Sequence, residues 1–164
     1  VEFLEQRRPG KPVIAYGMSL GGAAAIFASG TLGHRVHAYV LESPYRDLKT
    51  AVRNRVRTYL PPLLEWVAYE GLLNVSPLVL PELEKISPLA AIEGIPRDVP
   101  VLLLAGGKDR VARPEETRML YDRVSAHGKL VVFEGSDHHN LLATASDRYR
   151  RCVLEFLAGV RSAR

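Results

Sequence analysis

Four short, almost entirely apolar runs punctuate the chain, at 12–17, 36–42, 99–105 and 129–133. Runs of this length with no polar alternation fit strands buried on both faces, as in a parallel sheet. Between them the pattern changes to helical spacing, over 19–29, 114–126 and 140–160. In the last of these Leu142, Ala145, Tyr149, Cys152, Val153, Phe156 and Val160 recur at helical intervals and mark one buried face. Pro114, followed by Glu115 and Glu116, makes a good helix start, with proline at the first position and acids on the positive end of the dipole. Val1–Arg8 reads as the tail of one further helix. Strands alternating with helices predict an α/β fold: a parallel sheet, right-handed crossovers and helices on both faces, in one domain over 1–164.

Residues 45–93 interrupt that alternation. Arg46–Leu60 is amphipathic, with Leu48, Val52, Val56, Tyr59 and Leu60 on one face and Arg46, Lys49, Arg53 and Arg57 on another. Pro61 and Pro62 break it, Leu63–Glu70 forms a second helix, and Gly71 stops that one. A third short helix is expected over Glu82–Ile86. Trp66, Tyr69 and the Leu/Val/Pro-rich stretch 72–81 either wall a hydrophobic pocket or pack these helices onto the core.

Composition narrows the field. The chain has 164 residues, 47% hydrophobic and 24% charged, as an ordinary globular domain does. No apolar run approaches the roughly eighteen residues of a membrane helix. The formal charge of +4 owes much to the basic stripe on 46–60, which lacks the interleaved aromatics of a base-stacking surface. Nucleic acid is therefore not an expected partner. One cysteine, Cys152, excludes an internal disulfide and reads as a buried thiol, so the reducing cytoplasm is the default location.

Chemistry concentrates at the ends of the apolar runs. Gly17-Met18-Ser19-Leu20-Gly21 stands between the first predicted strand and a small-residue helix. A serine pinched there is held on a sharp, strained turn with its hydroxyl at the sheet edge. Gly17 and Gly21 allow the bend and a close approach, and the helix N-terminus offers free N–H groups to an oxyanion. The third run ends in Gly106-Gly107-Lys108-Asp109 and the fourth in Gly135-Ser136-Asp137-His138-His139. Parallel strands share one carboxyl edge, so Ser19, Asp109 and a histidine at 138 or 139 converge there. Spacing from Gly135 favours His138, while His139 beside Asn140 is the alternative. Asp137 adjoins the histidine in sequence and reaches its Nδ1 poorly, which leaves Asp109 as the acid. Asp137-His138-His139 lacks a third ligand at metal spacing, so neither metal nor cofactor is expected. His34, His37 and His127 lie near loops and read as surface residues.

These features together resemble the C-terminal part of an α/β-hydrolase, closest to the serine-esterase, serine-aminopeptidase and prolyl-oligopeptidase-like branch. The resemblance rests on the Gly17–Gly21 elbow, Leu41-Glu42-Ser43-Pro44, Val99–Asp109 and Phe133–Asn140. It implies a serine hydrolase cleaving an ester, thioester or amide through an acyl-enzyme. Ser19 would be the nucleophile, Asp109 the orienting acid, His138 the base and the Leu20 amide an oxyanion donor. Met18, Trp66 and Tyr69 would meet the substrate, and 45–93 would form a helical cap. Acyl transfer to another acceptor, or a non-catalytic module of the same fold, are the other readings. In the family the elbow follows the fifth of eight strands, whereas here its strand begins at Pro12. The expectation is therefore a portion of a longer protein, whose uncovered sheet edge could support oligomers.

Overall fold

The computed structural model describes residues 1–79, 82 and 85–162. Four parallel strands, β1 (Ile14–Met18), β2 (Ala38–Glu42), β3 (Val101–Gly106) and β4 (Gly128–Phe133), lie side by side in that order. Gly17 is in register with Leu41, Leu41 with Leu103, and Leu103 with Leu130, so all four carboxyl ends meet one rim. Every residue of β2 and β3 is buried, which explains why their sequences are apolar throughout except for Glu42, the last residue of β2.

The period of two along these strands divides the core in two. Tyr39, Leu41, Val101 and Leu103 face α2 (Leu20–Leu32) and α6 (Pro114–Val124), meeting Ile26, Leu120 and Val124. Val40, Leu102, Leu104 and Phe133 point the other way, against Leu141 of α7 (Leu141–Thr144) and Tyr149 and Cys152 of α8 (Ser146–Ser162). A short helix, α1 (Glu2–Arg7), precedes β1 and buries none of its residues. The result is the expected α/β sheet with helices on both faces.

Between β2 and β3 the chain forms α3 (Leu48–Tyr59), α4 (Pro62–Val79) and α5 (Pro88–Ala91). Asp47 caps α3, its Oδ1 accepting from the Thr50 N–H at 2.6 Å. The buried side of α3 carries Asn54 and Val56, whereas Tyr59, expected on the apolar face, is exposed. Gly71 does not stop the second helix, which continues to Val79. A glycine inside a helix costs only about 1 kcal/mol relative to alanine, and Glu70, Leu72 and Leu73 around it favour helix. The helix expected over 82–86 falls partly outside the described residues. Its neighbour α5 starts at a signal the pattern did not weigh: Ser87 accepts from the Ala90 N–H at 3.3 Å, ahead of Pro88.

The final helix, expected unbroken over 140–160, divides at Ala145 (φ −136, ψ 43). The Thr144 hydroxyl is turned away to the Asn140 carbonyl, 2.8 Å, and to the Ser136 hydroxyl. With the helix divided, Leu141 reaches the core and Leu142 is exposed. His37 and His127 are half-buried rather than on the surface, and His37 Nδ1 accepts from the Val13 N–H at 3.0 Å. No described helix is long and apolar enough to cross a membrane.

Candidate active site

Ser19 follows β1 immediately and caps α2 with φ 49, ψ −113, a left-handed conformation that costs a non-glycine residue about 1–3 kcal/mol. The geometry depends on Gly17. A Cβ there would stand 2.4 Å from the Gly21 carbonyl carbon and oxygen, so only glycine lets α2 start this close to β1. The Ser19 N–H donates to the Glu42 carbonyl at 2.8 Å, fixing the turn to the end of β2. Leu20 is the first residue of α2, and its N–H therefore has no acceptor within the helix.

Two further loops converge on this turn. Asp109 lies beyond the end of β3, 3% exposed, with Oδ1 accepting from the N–H groups of Val111 (2.8 Å) and Ala112 (2.9 Å). Its Oδ2 is 2.7 Å from His138 Nδ1, and His138 Nε2 is 3.0 Å from Ser19 Oγ. A carboxylate only accepts, so Nδ1 carries the proton and Nε2 is left to accept from the serine hydroxyl. His138 itself is 4% exposed.

The histidine loop reaches this position because Gly106 lets it pass directly over the end of β3. A Cβ on Gly106 would fall 2.6 Å from the Asp137 carbonyl oxygen. The loop is then held by backbone bonds from Gly107 to Phe133 (2.9 Å) and from Lys108 to Ser136 (2.8 Å). Asn140 adds a clasp that the sequence did not disclose, its Oδ1 accepting from the Asp137 N–H at 2.8 Å. His139 is exposed, edge-on to His138, and Asp137 Oδ1 accepts from the His139 N–H at 3.1 Å. The structure thus brings Ser19, His138 and Asp109 together and leaves Asp137 and His139 outside that chain of contacts.

A cavity of about 160 Å³ opens beside Ser19 and Leu20, walled by Tyr45, Leu48, Ala51, Val52, Val111 and Ala112, with Arg55 at its rim. Its helical wall comes from α3. Met18, Trp66 and Tyr69 do not line it: Met18 is partly exposed, Trp66 is 68% exposed on α4, and Tyr69 packs under the Arg53 guanidinium. The bulk of Trp66 and Tyr69 made them sequence candidates, but α4 meets the rest of the protein chiefly through α3.

Two polar clusters built on the buried carboxylates of Glu42 and Glu116 hold the surroundings in place. Glu42 Oε2 accepts from the phenols of Tyr16 (2.6 Å) and Tyr149 (2.7 Å), joining β1, β2 and α8. Burial, together with that carboxylate, holds both phenols above their ordinary range. On the other side Glu116 of α6 accepts from the Asn54 amide at 2.5 Å and from the Arg46 N–H at 3.3 Å, and Asn54 also donates to the Val111 carbonyl. Burial pushes the Glu116 carboxyl above the usual carboxylate range despite those donors.

A sequence profile of the alpha/beta hydrolase family matches residues 1–151. The chain belongs to the alpha/beta hydrolase family. It is 27% identical over 149 residues to an alpha/beta hydrolase domain-containing protein, WAV2, of Arabidopsis thaliana, an alignment covering 88% of this chain and 46% of that protein. The solved esterase of Pyrococcus furiosus superposes with a TM-score of 0.72 at 24% identity, over 96% of this chain and 58% of that one. For the acylaminoacyl peptidase of Pyrococcus horikoshii the TM-score is 0.68 at 18% identity, over 96% and 26% respectively. The chain therefore spans about half the length of this alpha/beta hydrolase relative from Arabidopsis.

Proposed function

We propose that the chain carries the catalytic centre of a serine hydrolase acting on an ester, thioester or amide of a small apolar acyl group. The observation that carries this reading is the contact chain Ser19–His138–Asp109, 3.0 and 2.7 Å long, built around a strained serine at a helix N-terminus. Ser19 Oγ attacks the substrate carbonyl carbon while His138 Nε2 takes its proton, and Asp109 holds the ring and its developing positive charge. The Leu20 N–H, at the positive end of α2, is a donor for the oxyanion. Collapse breaks the bond to the leaving group, which His138 protonates. Water then attacks the acyl-serine by the same proton route and releases the acid. Residues 45–93 act as a cap, with α3 forming the acyl wall. An apolar cavity of about 150 Å³ takes up benzene, so about 160 Å³ suits an acyl group of some six carbons.

Hydrolysis of p-nitrophenyl butyrate by the whole protein tests the assignment. Ser19→Ala and His138→Ala should each lower kcat by about 10⁴-fold or more, and the double variant should fall little further, because the members act as a unit. His139→Ala should keep most of the rate. Full loss in His139→Ala with activity retained in His138→Ala would move the base to the neighbouring ring. Unchanged turnover in Ser19→Ala would overturn the mechanism.

A further inference from the structure

On the reading just given, we infer that the substrate's leaving group carries a phosphate, held by Lys108 and Arg110. The two sides of the Ser19–His138 pair differ in character. The acyl side is the small apolar cavity against α3. On the histidine side lies a groove of about 490 Å³ that includes Lys108, Arg110, Thr58, His138, His139 and Asn140 in its lining. The base that takes the serine proton returns it to the leaving group, so the leaving group lies on this second side.

Lys108 and Arg110 flank Asp109 on a loop whose backbone is fixed at Lys108 N–H to the Ser136 carbonyl (2.8 Å) and at the two N–H groups bound by Asp109 Oδ1. Both side chains are exposed, and neither has an ion-pair or hydrogen-bond partner among the described residues. Some surface cations elsewhere are engaged, Arg35 by Glu5, Arg57 by Glu65 and Arg123 by Glu93, while others such as Lys11 and Arg150 have no such partner among the described residues. What sets Lys108 and Arg110 apart is that both line the groove that His138 also lines. Across the same loop, Lys108 and Arg110 also line a second groove with Arg57 and Arg113. The carboxylates that face these grooves, besides buried Asp109, are Asp137, which accepts the His139 N–H, and Glu115, in the first turn of α6. Two free cations beside a proton-donating histidine suit a dianion, because a phosphate offers several acceptor oxygens and a guanidinium can bind two of them at once. The substrate class is an ester or thioester of a phosphorylated alcohol or thiol, with the phosphate a few bonds from the reacting atom.

The test compares two esters that differ only in that group, 1-butyrylglycerol and 1-butyrylglycerol 3-phosphate, with the whole protein. The phosphorylated ester should be preferred by about tenfold or more in kcat/KM, expressed in KM, since each charge-assisted bond is worth that order. The preference should shrink as salt rises from about 0.05 to 0.5 M, because the cations are exposed. It should vanish in Lys108→Gln/Arg110→Gln, and glycerol 3-phosphate, but not glycerol, should bind in a calorimetric titration. Equal kcat/KM for the two esters, or a preference that survives the double substitution, would overturn this inference and leave the hydrolase reading standing. Turnover of p-nitrophenyl butyrate with turnover of neither glyceryl ester would overturn this inference alone, and absence of p-nitrophenyl butyrate hydrolysis as well would remove both readings. Repeating the assay with 1-butyryl-2-oleoylglycerol 3-phosphate in vesicles, which keeps the short acyl group and puts the lipid chain on the leaving group, separates the sources. Faster turnover of the butyryl ester there assigns a lipid headgroup, and turnover of the dissolved ester alone assigns a soluble phosphorylated alcohol.

Discussion

At the scale of single residues, the two glycines of the elbow are not equivalent. Gly17 faces the backbone of Gly21 at a distance no Cβ can occupy, whereas a Cβ on Gly21 would meet nothing within 4 Å. The sequence motif shows both as G and gives no means of ranking them, because the contact belongs to the packed strand and helix. Gly17→Ala should therefore cost about 3 kcal/mol or more, by forcing α2 off β1. Gly21→Ala should be neutral or stabilising by about 0.5–1 kcal/mol, as expected of alanine replacing glycine in a helix. Urea unfolding of the two variants would check this, and equal destabilisation would contradict the packing described. The converging side chains Ser19, Asp109 and His138 were legible because each follows an apolar run, and parallel strands put such positions on one rim. Asn140, Asn54 and Glu42 were not legible, since their partners lie on other elements.

At the scale of elements, α3 is the wall of the cavity beside Ser19, and its attachment to α6 runs through Glu116. The sequence presents Glu116 as an acid favouring a helix start; the structure makes it a buried tie to Asn54 and the Arg46 N–H. Its raised pKa sets the sign of a pH effect. The folded state binds the proton more tightly than the unfolded chain, so this contribution is complete below the usual carboxylate pKa and is lost as pH rises through the raised value. Glu116→Gln keeps an acceptor for Asn54 without the charge. Its stability relative to the parent should therefore climb as pH rises above the ordinary glutamate pKa of about 4.3. A series of urea midpoints taken upward from that pH would show it, and a pH-independent difference would contradict it. Glu116→Ala should be worse throughout, by about 1–3 kcal/mol, because it leaves one N–H of the Asn54 amide without its acceptor while the other keeps the Val111 carbonyl. The strands and α6 were readable from local pattern and capping chemistry. The continuation of α4 through Gly71 was not, because helix-favouring neighbours outweigh a glycine cost of about 1 kcal/mol, nor was the division at Ala145, where Thr144 bonds to Ser136 of the preceding loop.

For the whole molecule, the sheet ends in two unlike edges. β4 carries an exposed lysine, Lys129, a device that discourages edge-to-edge pairing, while β1 reads Ile-Ala-Tyr-Gly-Met with no charge. Tyr16 and Met18 are also exposed there. Light scattering on this chain by itself should give a mass that rises with concentration, as an uncharged open edge finds partners; a constant monomer mass would show that β1 is protected in solution. The central claim is narrower: one serine, at the turn between β1 and α2, is a nucleophile activated by His138. Intact-mass spectrometry after treating the whole protein with a fluorophosphonate measures this most directly. A single phosphonyl adduct should form, mapping to Ser19 and absent from Ser19→Ala and His138→Ala. No adduct, or one that persists in Ser19→Ala, would contradict the claim.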